Sequence, residues 1–441
     1  MNRLRTFRLA IILAATVVAP AMGRAQSVVD SVTVAYEVNG LRILHRRTTA
    51  TNFFAANLYL LGGARQITAA NAGIEPFLLM VSEYGTRSYP GEETRRAVAR
   101  TGSLMFVSPT YDWTSFEIHG VKEEFDSTWA VFADRLMHPA FDSAGMAIVR
   151  ERMLASVLSR QTSPDAHVAV LAESLAFRGH PYANDPTGNE ASIRAVTADD
   201  LRKYAGEQLV TSRMLLVVVG DIPREQLDRA VAGTLGTLSR GNYTWTLPDP
   251  WKPAKAEVAA AQRSIPTNYI FGYLPGPQAS SPDYPAFEYA MTILGNVVST
   301  VVREEAGLSY AANVSVMRRG ATGAGIYVST TRPDTVIKLV NSIFDFYERD
   351  ATIPRPVLRR AAQSLKTEYL YRMESAASHA DMLARAQLYD GDFRAASRRA
   401  ELMGKVGYPD MRRALKTYAR NFQYGFVGDT TRLPRTEMTK R

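Results

Sequence analysis

Arg303 and Tyr310 are two residues whose types could do chemistry together. A guanidinium presents a rigid fork of donors and a phenol adds one more. They lie seven apart, across Glu-Glu-Ala-Gly-Leu-Ser. Two such donors can hold a peptide carbonyl and stabilise the oxyanion that develops on it. Taken alone, the same residues also suit a charge at a helix end and a packed strand tyrosine. Other chemistries are poorly supplied. Cysteine is absent, which excludes disulfides, thiolate metal sites and cysteine nucleophiles. The six histidines, His45, His119, His138, His167, His180 and His379, are scattered, with no two at helical i, i+4 spacing. They read as structural or surface histidines. No G-x-S-x-G elbow occurs, and Gly62-Gly63 opens no phosphate loop.

The elements that must position this pair can be read from period and punctuation. Val32–Asn39 alternates, Asn39-Gly40 is a hairpin signal, and Leu41–Arg46 returns. Phe53–Leu61 is a third strand. Ile74, Phe77, Leu78 and Val81 fall at i, i+3, i+4 and i+7 of a helix spanning about Gly73–Glu83. A helix at 94–102, strands at 103–107 and 113–121, and a helix at 123–137 follow. Long helices then lead to a loop at Gly179-His180-Pro181-Tyr182. A helix at 198–208 and a strand at 214–219 close the half. The proline-rich stretch with Trp245 and Trp251, together with an alanine cluster, predicts a linker over 243–261. Beyond it the order recurs: strand 268–274, helix 284–302, strands 313–317 and 325–330, helix 334–347. The endings match best, Leu201–Tyr204 leading to Val219-Gly220-Asp221 and Leu415–Tyr418 leading to Val427-Gly428-Asp429. The expected fold is α+β, two homologous α/β halves, each a mainly antiparallel sheet covered by helices.

The chain has 441 residues, of which 46% are hydrophobic and 22% charged, so it can bury a large core. Arg3, Arg5 and Arg8 precede an apolar run from Leu9 to Ala19, with Gly23 and Ala25 at the −3 and −1 positions of a cleavage site. This reads as a signal peptide over 1–25. Its removal lowers the formal charge from +9 to +5, because Arg3, Arg5, Arg8 and Arg24 leave and no acid does. The expectation is an exported, most simply periplasmic, protein with no stable membrane anchor and no nucleic-acid partner. The halves are expected over 26–242 and 262–441.

Several stretches resemble the pitrilysin/insulinase-type zinc metallopeptidases, which include the mitochondrial processing peptidase. They are Val38–Leu41, Gly63-Ala64-Arg65, Glu151-Arg152, Gly179–Tyr182, both Val-Gly-Asp endings and, most specifically, Leu294-Gly295-Asn296 with Val302–Tyr310. The resemblance implies where zinc chemistry should be. Active relatives carry an inverted H-x-x-E-H motif on the first helix, which places Pro76, Leu79 and Met80 on the ligand and base positions. The third-ligand position falls near Leu158. The resemblance therefore implies a chain without metal or other cofactor, inactive alone. Arg303 and Tyr310 would be the catalytic, substrate-binding pair acting with a zinc-bearing partner subunit of the same family on a peptide substrate. It also places a peptide-binding sheet edge at Leu104–Pro109, where Phe106 and Pro109 replace more polar residues. Tyr111 and Trp113 read as core or chamber wall. The alternative is a non-catalytic scaffold or peptide-binding protein of the same fold.

Overall fold

The computed structural model describes residues 32–349, 353 and 355–441; the signal-peptide segment lies outside them. Eleven strands form two sheets. The first is built from β1 (Thr33–Val38), β2 (Leu41–Arg47), β3 (Phe53–Leu61), β4 (Leu104–Pro109), β5 (Trp113–Val121) and β6 (Met214–Gly220), in the order β1-β2-β6-β3-β5-β4. The second comprises β7 (Glu257–Gln262), β8 (Asn268–Pro275), β9 (Ala311–Met317), β10 (Gly323–Thr330) and β11 (Gln423–Gly428), in the order β7-β11-β8-β10-β9. Apart from β1 the two orders are the same. In each sheet one pair is parallel, β2 with β6 and β7 with β11, and the rest are antiparallel. A duplicated α+β architecture follows directly. The β1–β2 hairpin turns where expected: Asn39 and Gly40 take φ of 47° and 79°, the left-handed pair a two-residue turn requires.

The helices of the first half are α1 (Ile74–Val81), α2 (Glu93–Thr101), α3 (Phe125–Met137), α4 (Ser143–Thr162), α5 (Pro164–Ala176), α6 (Glu190–Ala195), α7 (Ala198–Gln208) and α8 (Arg224–Ala232). Those of the second are α9 (Tyr284–Ser299), α10 (Pro333–Arg349), α11 (Arg355–Arg372), α12 (Ala376–Arg385), α13 (Ala395–Gly404), α14 (Tyr408–Tyr418) and α15 (Arg435–Met438). Most of each set covers one face of its own sheet. The first core joins Phe54, Leu58, Phe116 and Leu216 of the strands to Phe77, Phe132, Val149 and Leu201 of the helices. The second joins Ile270, Ile326 and Phe426 to Phe287, Leu294, Phe344 and Leu415.

The opposite sheet faces are covered by exchange. Helix α5 of the first half lies across β8 and β11 of the second sheet. Its approach is so close that a side chain at Gly425 would collide with the Val168 carbonyl. Conversely α12, from the second half, lies across β3 and β6. There Ala380, Leu383 and Ala384 bury against Leu44, Tyr59, Leu61, Trp113, Leu215 and Val217. Each large apolar side chain so covered contributes about 1.5–3 kcal/mol, so the two halves share one fold.

The structure corrects the expected linker. The alanine cluster is strand β7, paired in parallel with β11 from Glu257↔Gln423 to Gln262↔Gly428, so the irregular stretch ends at Ala256. That stretch is pinned, with Trp245 Nε1 donating to the Leu388 carbonyl at 2.8 Å and Trp251 Nε1 to that of Thr322 at 3.2 Å. The helix expected over 284–302 is α9 followed by a π-helical segment, Thr300–Glu305. Among the described residues no helix is long and apolar enough to cross a membrane.

Candidate functional site

Helix α1 starts after Gly73, whose φ of 83° suits glycine and brings its backbone against Gly188. The helix packs against α4, α7 and the edge strand β4. Pro76 and Leu79 are buried and Met80 is half-buried, while Leu158 on α4 is 59% exposed. Three hydrocarbons and a thioether thus occupy the positions that the family resemblance assigns to ligands and base. Glu75, beside them, is taken. It forms a buried ion pair with Arg213 at 2.6 Å and accepts from the Tyr204 hydroxyl at 2.9 Å. Burial and the adjacent Glu75 carboxylate both push the Tyr204 hydroxyl well above its ordinary range. Glu83 pairs with Arg152, at 3.7 Å.

A cation already sits beneath this helix. Arg135 is 5% exposed. It donates to the Leu79 carbonyl at 3.4 Å and to Ser82 Oγ at 3.2 Å, contacts Met105 Sδ, and lies 5.2 Å from the Phe116 ring centroid. Burial lowers its guanidinium to about 10, which leaves it charged at neutral pH. A fixed positive charge against residue 79 opposes a divalent cation there. Among the described residues no group of three or more His, Asp or Glu is placed to hold a metal ion.

Arg303 lies on the π-helical segment after α9, and Gly307, at φ 58°, turns the chain toward β9. The turn is tied down beside Tyr310. Thr330 Oγ1 donates to the Leu308 carbonyl at 2.7 Å, and Ser309 Oγ accepts from the Ala311 amide at 3.0 Å. Tyr310 itself projects outward, 93% exposed, with no hydrogen bond among the described residues. Arg303 pairs with Glu304 at 2.7 Å, its side chain half-exposed. It stands at the rim of a cavity of about 620 Å³ between α9, β9 and α11, which is also lined by Glu288, Arg318, Glu368, Arg372 and Arg399. In the isolated chain, then, Tyr310 faces solvent and Arg303 is half-exposed beside the cavity.

Among the described residues β4 is an edge strand with no partner on its outer side. Leu104 and Phe106 are 59% and 42% exposed, with the Phe106 ring 5.3 Å from that of His119. Trp113 is core, 1% exposed, against Tyr59 and Tyr389. Tyr111 donates to Glu173 of α5 at 3.0 Å.

Two carboxylates that sequence reasoning missed join the halves. Asp112, 1% exposed, accepts from the Tyr182 hydroxyl, from the Tyr389 hydroxyl at 2.8 Å and from the Gly320 amide at 2.8 Å. Glu173 accepts from Tyr111, from Tyr273 at 2.7 Å and from Arg319 at 2.8 Å. The one available signal was an acid set between two aromatics at 111–113.

A duplicated α+β fold with apolar residues along its first helix is that of a metallopeptidase-like chain. Comparison with known proteins agrees. Residues 195–352 match the family model described as the peptidase M16 inactive domain. The chain is 23% identical over 350 residues to the probable mitochondrial-processing peptidase subunit beta of Schizosaccharomyces pombe, covering 75% of this chain and 76% of that one. It is 20% identical over 185 residues to the non-peptidase homolog YmxG of Helicobacter pylori, covering 42% and 43%. The solved peptidase M16 inactive domain from Pseudomonas fluorescens superimposes with a TM-score of 0.81 at 17% identity, over 90% of this chain and 98% of that one. The family resemblance and the fold class read from the sequence both stand.

Proposed function

We propose that this chain is the non-zinc subunit of an exported heterodimeric metallopeptidase. It lends Arg303 and Tyr310 to a peptide carbonyl held at a partner's zinc, and it is inactive and zinc-free alone. The observation that carries this reading is the contrast between two ends of the molecule. Pro76, Leu79, Met80 and Leu158 are apolar, with a buried guanidinium against Leu79, whereas Tyr310 stands exposed on a turn braced by its neighbours. A core tyrosine would have been folded inward; this one has its hydroxyl free for a group outside the chain. Closing a partner over it would exclude water, where a donor aimed at a developing oxyanion is worth most.

The test is co-expression with a zinc-bearing relative, followed by peptide cleavage with Tyr310→Phe and Arg303→Ala. Tyr310→Phe removes only an oxygen and should lower turnover about 10²–10³-fold while the complex still assembles and keeps its zinc. The purified chain alone should contain far less than one zinc by elemental analysis. Activity of both variants within twofold of the unmodified complex would leave the scaffold reading in place of this one.

A further inference from the structure

The hairpin between β9 and β10, Arg318-Arg319-Gly320-Ala321-Thr322, places two arginines next to each other where the halves meet. Its backbone is held from the first half. The Gly320 amide donates to Asp112 at 2.8 Å and the Ala321 amide to the Tyr182 hydroxyl at 3.3 Å. Arg319 is fixed in turn, donating through Nη2 to Glu173 at 2.8 Å, with its guanidinium 4.4 Å from the Tyr111 ring centroid. The other terminal nitrogen, Nη1, is buried and has no hydrogen-bond partner among the described residues. Arg319 lines a second cavity, of about 400 Å³, between the halves.

Arg318 lines both that cavity and the 620 Å³ cavity beside Arg303. Among the described residues no carboxylate lies within 4 Å of it, and Glu288 and Asp390 act on its charge only from farther off. The acids around the two cavities are engaged elsewhere. Glu288 pairs with Arg399 at 3.0 Å, Glu368 with Arg372 at 2.7 Å, and Asp185 with Arg160 at 3.4 Å. Asp112 is filled by two tyrosines and an amide. Burial also raises Glu288, which weakens its hold on charge. A guanidinium is always protonated, and in a partly desolvated place it favours a planar anion that accepts two of its hydrogens. Here a fork with no carboxylate bonded to it adjoins an orphaned N–H on a braced turn.

The geometry points to the Arg318–Arg319 turn as a receptor for carboxylate groups of a bound peptide, lying where the two cavities meet. About 400 Å³ is at the lower end of small-ligand sites, room for an acidic side chain or a chain terminus but not for a folded partner. The site goes beyond the role proposed for Arg303 and Tyr310, since it needs neither partner nor metal. It implies selection for acidic peptides by a chain whose formal charge is itself positive.

The test uses the mature chain alone and fluorescence anisotropy at low salt with three labelled peptides of equal length. One is rich in glutamate with an amidated C-terminus, one is its glutamine counterpart with a free C-terminus, and one is the glutamine peptide amidated. At least one carboxylate-bearing peptide should bind fivefold or more tighter than the neutral one. Which of them does so tells a side-chain carboxylate from a terminal one. Arg318→Gln should cut that binding at least fivefold with an unchanged melting temperature, whereas Arg435→Gln, an exposed arginine on α15, should not. Should Arg318→Gln fail to fold, Arg318→Lys keeps the charge without the fork and must lose binding by the same criterion. A smaller preference, a smaller loss at Arg318 or an equal loss at Arg435 overturns the proposal. Because binding is read without zinc, its failure leaves the Tyr310 experiment unaffected, and the reverse holds too.

Discussion

Replacing Asp112 by alanine should loosen the joint between the halves more than any single apolar truncation there. The carboxylate accepts three hydrogen bonds and is 1% exposed. Two of its donors, Gly320 and Tyr389, belong to the second half. Truncation strands two hydroxyls and one amide. Each buried, unsatisfied donor costs about 1–3 kcal/mol, and Asp112 borders the 400 Å³ cavity, from which water can reach part of the gap. The lower end of the range therefore applies, about 3–5 kcal/mol for Asp112→Ala. Asp112→Asn keeps the shape and one good acceptor and should cost about half as much. Urea unfolding followed by circular dichroism measures both. The midpoint should fall without a change in slope, because the surface exposed on unfolding is unaltered. A loss below about 1 kcal/mol for the alanine variant would refute the claim that this network joins the halves.

Two further outcomes follow from buried charges. His379 on α12 is 5% exposed, and burial, helped by Arg46, depresses its imidazole to about 4 from 6.5. The folded state thus binds fewer protons than the unfolded one, so stability falls as pH drops from about 6.5 toward 4, by about 3 kcal/mol in all. His379→Gln should flatten that part of the profile in pH-dependent urea unfolding, and parallel profiles would contradict it. Glu75→Ala should destabilise the chain by about 3–5 kcal/mol, because it leaves Arg213 buried and unpaired. A thermal melt within a degree of the unmodified chain would show that the pair does not hold α1.

Much of the fold was legible because turns and periods are local. Asn39-Gly40 and the alternating strands announced themselves, and the duplicated order gave away the two sheets. Strand β7 was missed for a physical reason. Glu-Val-Ala-Ala-Ala-Gln has little strand preference of its own, and its extended form is imposed by pairing with β11. Helix α11 left no clear stripe, since none of its described side chains is fully buried. The exchange of α5 and α12 had no local signature at all, because a pattern of small residues such as Val168, Ala172 and Ala176 says that a helix is covered but not by which sheet. At the site, Arg303 and Tyr310 were found through a motif. Asp112, Glu173 and Arg318 matter through contacts made by residues distant in the chain, which spacing cannot reveal.

The exchanged helices also set an order of events during synthesis. The first sheet can gain its own helices early, since α1, α3 and α4 lie close in sequence to its strands. Its other face, with Tyr59, Trp113 and Leu215, is covered by α12, which is made near the end of the chain. Until then a broad apolar surface stays open on a nearly finished half. Contacts of such long sequence separation form slowly, and uncovered apolar faces invite association between chains. The chain therefore carries a built-in interval of vulnerability that closes only when its last quarter folds back. During that interval a second copy already carrying α12 can offer the same helix in trans.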